Sequence, residues 1–96
     1  MITIQFVKEK ISQYKVDLVH KYHLNYIAVF GSVSRGDNNE NSDVDILVDF
    51  SEPIGIEFID LADELETILH NKVDLVSRNA IKPKYFDQIK SDLLYV

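Results

Sequence analysis

Apolar residues recur every three or four positions along residues 4–22, at Ile4, Val7, Ile11, Tyr14, Leu18 and Tyr22, with Lys8, Glu9, Ser12, Gln13 and Lys15 off that stripe. This period predicts an amphipathic helix, with Thr3 as its N-cap and His23 and Asn25 at its end. YIAVF, 26–30, is short, apolar and rich in aromatics, as a buried strand is. In VDILVDF, 44–50, the two-residue period puts Val44, Ile46 and Val48 on one face of a second strand, and Asp45, Leu47 and Asp49 on the other. Residues 55–70 return to a helical period, with Ile59, Ala62, Leu65 and Leu69 as the stripe and Glu57, Asp60, Asp63, Glu64 and Glu66 on the remaining surface. KVDLVS, 72–77, predicts a third strand with Asp74 and Val76 on one face. Pro83 suits the first turn of a last helix reaching residue 93, with Tyr85, Phe86, Ile89 and Leu93 as core contacts, and LYV at the end adds a short edge strand.

Strands separated by helices indicate a small α/β fold, a sheet flanked by helices. The hop from strand 26–30 to strand 44–50 is too short for a crossover helix, so the sheet is expected to be mixed or antiparallel. The 96 residues suffice for one domain, residues 1–96, with no repeat or linker.

Composition narrows the chemistry. There is no cysteine, which removes disulfides and thiolate metal sites. No stretch approaches membrane-spanning length, and a cytoplasmic protein is the expectation. The net charge of −6 is uneven. Residues 36–71 hold eleven acidic side chains and no basic one, while both flanking segments are net basic. An anionic centre argues against duplex nucleic acid docking there and suits a cation or a basic partner, beside the plainer reading of a solvated helix face and an acidic loop.

The acidic stretch overlaps the most informative pattern, FGSVSRGDNNENSDVDILV, residues 30–48. Gly31-Ser32 directly follows a strand, and Val33-Ser34-Arg35-Gly36 supplies one helical turn. Glycine lets a ligand approach the backbone, amides at a helix start face anions, Ser32 adds a hydroxyl, and Arg35 is a cation suited to phosphate. Asp43 and Asp45 are two apart and project from one face of a strand, where a pair of carboxylates holds one or two divalent ions. Asp74 has the same alternation in another strand and falls within reach if the two strands are neighbours. Three such carboxylates suit Mg²⁺, and two ions roughly 3.5–4 Å apart stabilise the attacking and leaving oxygens of a phosphoryl displacement. A lone D-x-D at a strand edge, taken by itself, is better read as turn chemistry. The carboxylate inside VDLV is harder to assign to a turn, because a buried charge needs a partner.

A calcium loop fails on spacing. Asp37, Asn39 and Asn41 fall at loop positions one, three and five of an EF-hand, but Ser42 replaces the glycine, Val48 replaces the glutamate, and the flanks are strands. DNNEN, 37–41, then reads as a solvated span between the two ends of the site. His20, His23 and His70 share no ligand spacing and read as surface or capping groups. The tyrosines at 14, 22, 26, 85 and 95 read as packing, and Asp49 as a solvated strand-end carboxylate.

Gly31-Ser32, Arg35-Gly36, then five residues to Ser42-Asp43-x-Asp45, resemble the signature of the minimal nucleotidyltransferases (MNT) of the DNA polymerase β superfamily, with Asp74 where that family carries its third carboxylate. Ser34 departs from a common alanine and leaves the set intact. The resemblance covers essentially the whole chain and implies the polymerase β-like nucleotidyltransferase fold. It implies AMP transfer from ATP to an acceptor hydroxyl, with pyrophosphate leaving. Gly31, Ser32 and Arg35 would hold the triphosphate. Asp43, Asp45 and Asp74 would bind Mg²⁺, two ions by the family pattern, and Asp74 would help deprotonate the acceptor. Stand-alone members are similar to antitoxins paired with HEPN-type ribonuclease toxins, some of which they AMPylate on tyrosine, in a homo- or hetero-oligomer. With no residues left over for an acceptor domain, a protein partner is the expected substrate. The other reading implied is a non-catalytic antitoxin that neutralises its toxin by complex formation. The acidic helix 55–70 offers either one a face for a basic partner.

Overall fold

Thr3 opens the first helix as expected. Its backbone is extended and its Oγ1 accepts a hydrogen bond from the Phe6 amide at 3.1 Å, satisfying one of the helix's free N–H groups. In the computed structural model, which describes all 96 residues, α1 runs Ile4–Tyr22 and stops at His23. That residue adopts the left-handed conformation (φ 55°) and donates its amide to the Val19 carbonyl. Val7, Ile11, Leu18 and Tyr22 are buried. Tyr14, assigned to the same stripe, is exposed instead and lines a groove between α1 and a later helix with Lys10, Leu18, Glu64 and Ile68.

Four strands follow: β1 Leu24–Phe30, β2 Val44–Phe50, β3 Val73–Ser77 and β4 Leu94–Tyr95. They line up in the order β3-β2-β1-β4. β1 pairs antiparallel with β2 and β4, and β2 pairs parallel with β3, so the sheet is mixed. The parallel step needs a crossover, which α3, Glu57–Leu69, supplies. β1 begins two residues before the expected start. Asn25, read as a helix-end residue because it is polar, lies where the β1/β2 register shifts, and its Nδ2 donates to Asp49 Oδ2 at 2.8 Å.

The inner face of α3 differs from the expected stripe. Leu61, Leu65 and Leu69 are buried, with Phe58 and Ile68 packed beside them, while Ile59 is 59% exposed. At 100° per residue Ile59 lies about 200° from Leu61, so both cannot face inward. The last helix, α4, spans Pro83–Ile89 and passes into a 3₁₀ turn, Lys90–Asp92. Ile89 is buried there, but Tyr85 is 42% exposed, in contrast to its assignment as a core residue. No helix is long and apolar enough to cross a membrane.

The two faces of the sheet are covered unequally. Fifteen buried apolar residues, among them Val7, Ile11, Ile46, Val48, Leu61 and Leu65, form one cluster under α1 and α3. On the other face a cluster of four, Phe30, Leu47, Ile81 and Ile89, lies under α4. Val44, Ile46 and Val48 supply the first face of β2, and Asp45, Leu47 and Asp49 the second. The second face is therefore partly apolar at its middle and carboxylate-bearing at both ends.

Candidate active site

The end of β1 turns sharply into α2, Gly31–Arg35, a single helical turn. Gly31 has φ 74°, a region that penalises side chains, and a Cβ there would overlap Asp45 Oδ2 and lie 3.1 Å from its Cγ. Glycine is thus required twice over: by its own backbone and by the carboxylate packed on it. Val33 is buried in the main core and pins the turn. Gly36 closes the turn at φ 82°, its amide reaching the Ser32 carbonyl at 2.9 Å. One turn carries little macrodipole, so the anion-binding capacity of this segment rests on individual amides and on Ser32, which is half-buried.

Register brings the carboxylates together. Asp45 is the Cα partner of Phe30 on β1 and of Asp74 on β3. Asp74 and Asp45 are thus side by side on neighbouring strands, with Gly31 one residue past Phe30. Asp43 precedes β2 with the parity of Asp45 and is exposed, as is Asp74. Burial, followed by the negative charges of Asp74 and Asp43, pushes the Asp45 carboxyl up to about 6, and Arg35 offsets part of this. Three carboxylates whose central member resists ionisation form a site that a cation would stabilise.

The donor set is carboxylate oxygen alone. The expected three-ligand set of Asp43, Asp45 and Asp74 is not assembled in this structure: no three of the chain's His, Asp and Glu side chains converge closely enough to hold a metal ion by themselves. The register-matched carboxylates Asp45 and Asp74 are hard oxygen donors of the kind Mg²⁺ takes, one or two at a time, beside water and substrate phosphates.

Arg35 faces this site but is also held from behind. Its Nε and Nη2 donate to Asp37 at 3.0 and 3.4 Å, and its Nη1 donates to Asp92 Oδ2 at 2.7 Å. DNNEN is more ordered than a solvated span. Asn38 Nδ2 donates to the Ile2 carbonyl, Asn39 accepts from the Asn41 amide, and Ser42 closes a turn on Asn39. Asn39 and Ser42 serve the backbone of their own loop, and Asn38 ties it to the segment before α1. Asp49 lies four residues beyond Asp45 and pairs with Asn25.

Two neighbours of the site escaped the reading of the sequence. Tyr85 lies one turn before Ile89, whose cluster includes Leu47, and Asp45 is two residues from Leu47 on the same strand face. Burial, then the charges of Asp45 and Asp74, raise the Tyr85 phenol, in keeping with that position. The i, i+4 spacing to Ile89 was the available signal, but it reads equally as core. Asp92, 57 residues from Arg35, had no local signal at all.

The family model described as polymerase beta, nucleotidyltransferase, matches residues 9–95. The chain belongs to this nucleotidyltransferase family. Among its relatives, a candidate protein adenylyltransferase of Methanocaldococcus jannaschii is 44% identical over the full length of both chains. The protein adenylyltransferase MntA of Thermococcus cleftensis is 37% identical, covering 100% of this chain and 98% of its own. A solved candidate minimal nucleotidyltransferase superposes with a TM-score of 0.84 at 27% identity, covering 99% of this chain and 97% of that one. A complex of tri-AMPylated Shewanella oneidensis HEPN toxin with MNT antitoxin matches with a TM-score of 0.70 at 27% identity, over 95% of this chain and 69% of that chain. The nucleotidyltransferase is therefore recognisable in sequence and in fold.

Proposed function

We infer that this nucleotidyltransferase transfers AMP from ATP to a hydroxyl of a HEPN-type toxin partner, releasing pyrophosphate, and so acts as an antitoxin. The observation that carries the reading is the pairing of Asp45 with Asp74 beside a glycine that only a bare backbone can occupy. Support for AMP transfer to a protein comes from the adenylyltransferase MntA of Thermococcus cleftensis, and support for the partner from the AMPylated HEPN toxin in the Shewanella complex.

In this reading the backbone at Gly31, the Ser32 hydroxyl and the two N–H groups of Arg35 not used by Asp37 and Asp92 orient the triphosphate. Asp43, Asp45 and Asp74 would hold Mg²⁺, which when bound offsets negative charge building on the phosphoryl oxygens. Asp45, the least willing to ionise, gains most from a cation beside it. Asp74, exposed on the edge strand β3 and so open to an incoming acceptor, takes the proton of the attacking hydroxyl. The acceptor oxygen forms its bond to the α-phosphorus as the bond to pyrophosphate breaks.

The test mixes the purified protein with ATP, Mg²⁺ and a HEPN-type partner and reads intact masses. An AMP-sized addition to the partner is expected, absent with Asp45→Asn. Neutralisation of the partner with no addition, undiminished in Asp45→Asn, would replace catalysis with inhibition by complex formation.

A further inference from the structure

Two consecutive residues of the phosphate turn grip the same distant residue. The Ser34 Oγ donates to the backbone carbonyl of Asp92, and the Arg35 Nη1 donates to the Asp92 carboxylate at 2.7 Å. The Asp92 side chain is 18% exposed, against 47% for Arg35, so the carboxylate is the sheltered, fixed end of the pair. Asp92 ends the 3₁₀ turn after α4, and the chain then enters β4 beside β1. On its other side Arg35 meets Asp37.

An arginine has five N–H donors in a rigid plane. Three are taken by Asp37 and Asp92, which leaves one on each terminal nitrogen. Two carboxylates also cancel most of the long-range attraction of Arg35 for an anion. What remains is a guanidinium plane held in one orientation, with one N–H on each terminal nitrogen available to a phosphate. We propose that Asp92 is a positioning residue for the triphosphate. Anchored by Ser34, it holds the Arg35 fork in its binding orientation, so the ordering cost is met in folding and not in ligand binding. This rests on the assignment of Arg35 to the triphosphate.

A positioning role and a charge role have opposite signs. If Asp92 only diluted positive charge, Asp92→Ala would tighten ATP binding. As a positioning residue its loss frees the fork, and the Kd for ATP in the presence of Mg²⁺ is expected to rise about tenfold. Asp92→Asn keeps an acceptor for Nη1 and should stay within about threefold of the parent. The KM for ATP should follow the Kd while kcat for AMP transfer stays within about twofold, since the fork binds substrate and transition state alike.

Titration calorimetry on the folded variants decides the matter. Arg35→Ala should weaken ATP at least as much as Asp92→Ala, and the double variant should be no worse than Arg35→Ala alone. Additive losses, or an Asp92→Ala that binds ATP as tightly as the parent or tighter, would overturn the proposal. If Asp92→Ala does not fold, Ser34→Ala reads the same contact, with a rise of about threefold expected and an unchanged Kd overturning it. An Arg35→Ala protein that binds ATP normally sinks both this proposal and the role of Arg35. Whether the chain transfers AMP is decided separately, by the mass measurement on the wild-type protein.

Discussion

The sheet has one face that packs and one that leaves chemistry accessible, and they differ by more than size. Under α1 and α3, fifteen buried apolar residues interlock, and no charged side chain is fully buried. Under α4 the apolar cluster has four members, and the same strand face carries Asp45 and Asp49 at either end of Leu47. At about 2 kcal/mol for each fully buried aliphatic side chain, the first face supplies most of the stability. The second can then tolerate the repulsion of clustered carboxylates. A chain of 96 residues has little surplus stability to lose, so placing the Asp45–Asp74 pair on the face opposite the main core lets the fold bear their repulsion.

Truncation should expose this division first. Leu65→Ala, a fully buried position in the main core, should cost about 2–5 kcal/mol, whereas Ile89→Ala under α4 should fall at the lower end of that range. Chemical denaturation of both variants measures the difference, and equal losses would erase the distinction between the faces. Gly31→Ala is expected next. A methyl in the left-handed region, pressed against Asp45, should cost about 1–3 kcal/mol and disturb ATP binding as well. A variant with parental stability and binding would contradict the packing of Asp45 on that turn.

The carboxylate cluster makes a smaller prediction with a definite sign. Asp45 in the native protein holds its proton up to about pH 6, against 3.8 for the free side chain. Between those values the native state binds more protons than the unfolded chain, so this group's contribution to stability falls as pH rises from about 4 to 6 and stays low above. Asp45→Asn removes the ionisation. In metal-free protein it should raise stability by about 1–2 kcal/mol at pH 7.5, after allowance for partial solvent access, and by much less at pH 4.5. Thermal melts of the two proteins at both pH values check this, and a variant less stable than the parent at pH 7.5 would refute it. The smallest effect is expected from Tyr85→Ala. At 42% exposure the ring should contribute within about 0.5 kcal/mol to stability, in contrast to a core residue. A loss above 2 kcal/mol would return Tyr85 to the core.

Periodicity and punctuation account for what could be read in advance. Thr3, Gly31, Gly36 and Pro83 each stand at an element boundary because the backbone there needs that residue type, and such needs are local. The two-residue period of VDILVDF sorted its side chains onto the correct faces, since a strand has only two. Helix faces were less legible. Around α3, Ile56 and Ile59 are as apolar as Leu61, and only the angle at which the helix meets the sheet selects Leu61 as buried and leaves both isoleucines exposed. Tyr14 and Tyr85 were misassigned for the same reason, because an amphipathic ring at a helical spacing suits a core or a groove. Asn25 was misplaced because its polarity reports a partner, Asp49, that is distant in sequence.

The candidate site divides along the same line. Residue types and their spacing were enough to name the candidate groups: a glycine turn after a strand, two carboxylates at the head of one strand and a third in another, with no thiolate available. These follow from residue type and spacing over a few positions, where the backbone leaves few alternatives. Which groups became neighbours was settled by the packed fold. It set β3 parallel to β2 with Asp74 level with Asp45, laid Asp45 against Gly31, put Tyr85 within the electrostatic influence of the carboxylates, and brought Asp92 to Arg35 across 57 residues. Strand order and register are properties of the whole packed sheet, set by which apolar faces can be buried together, and no local stretch of chain encodes them.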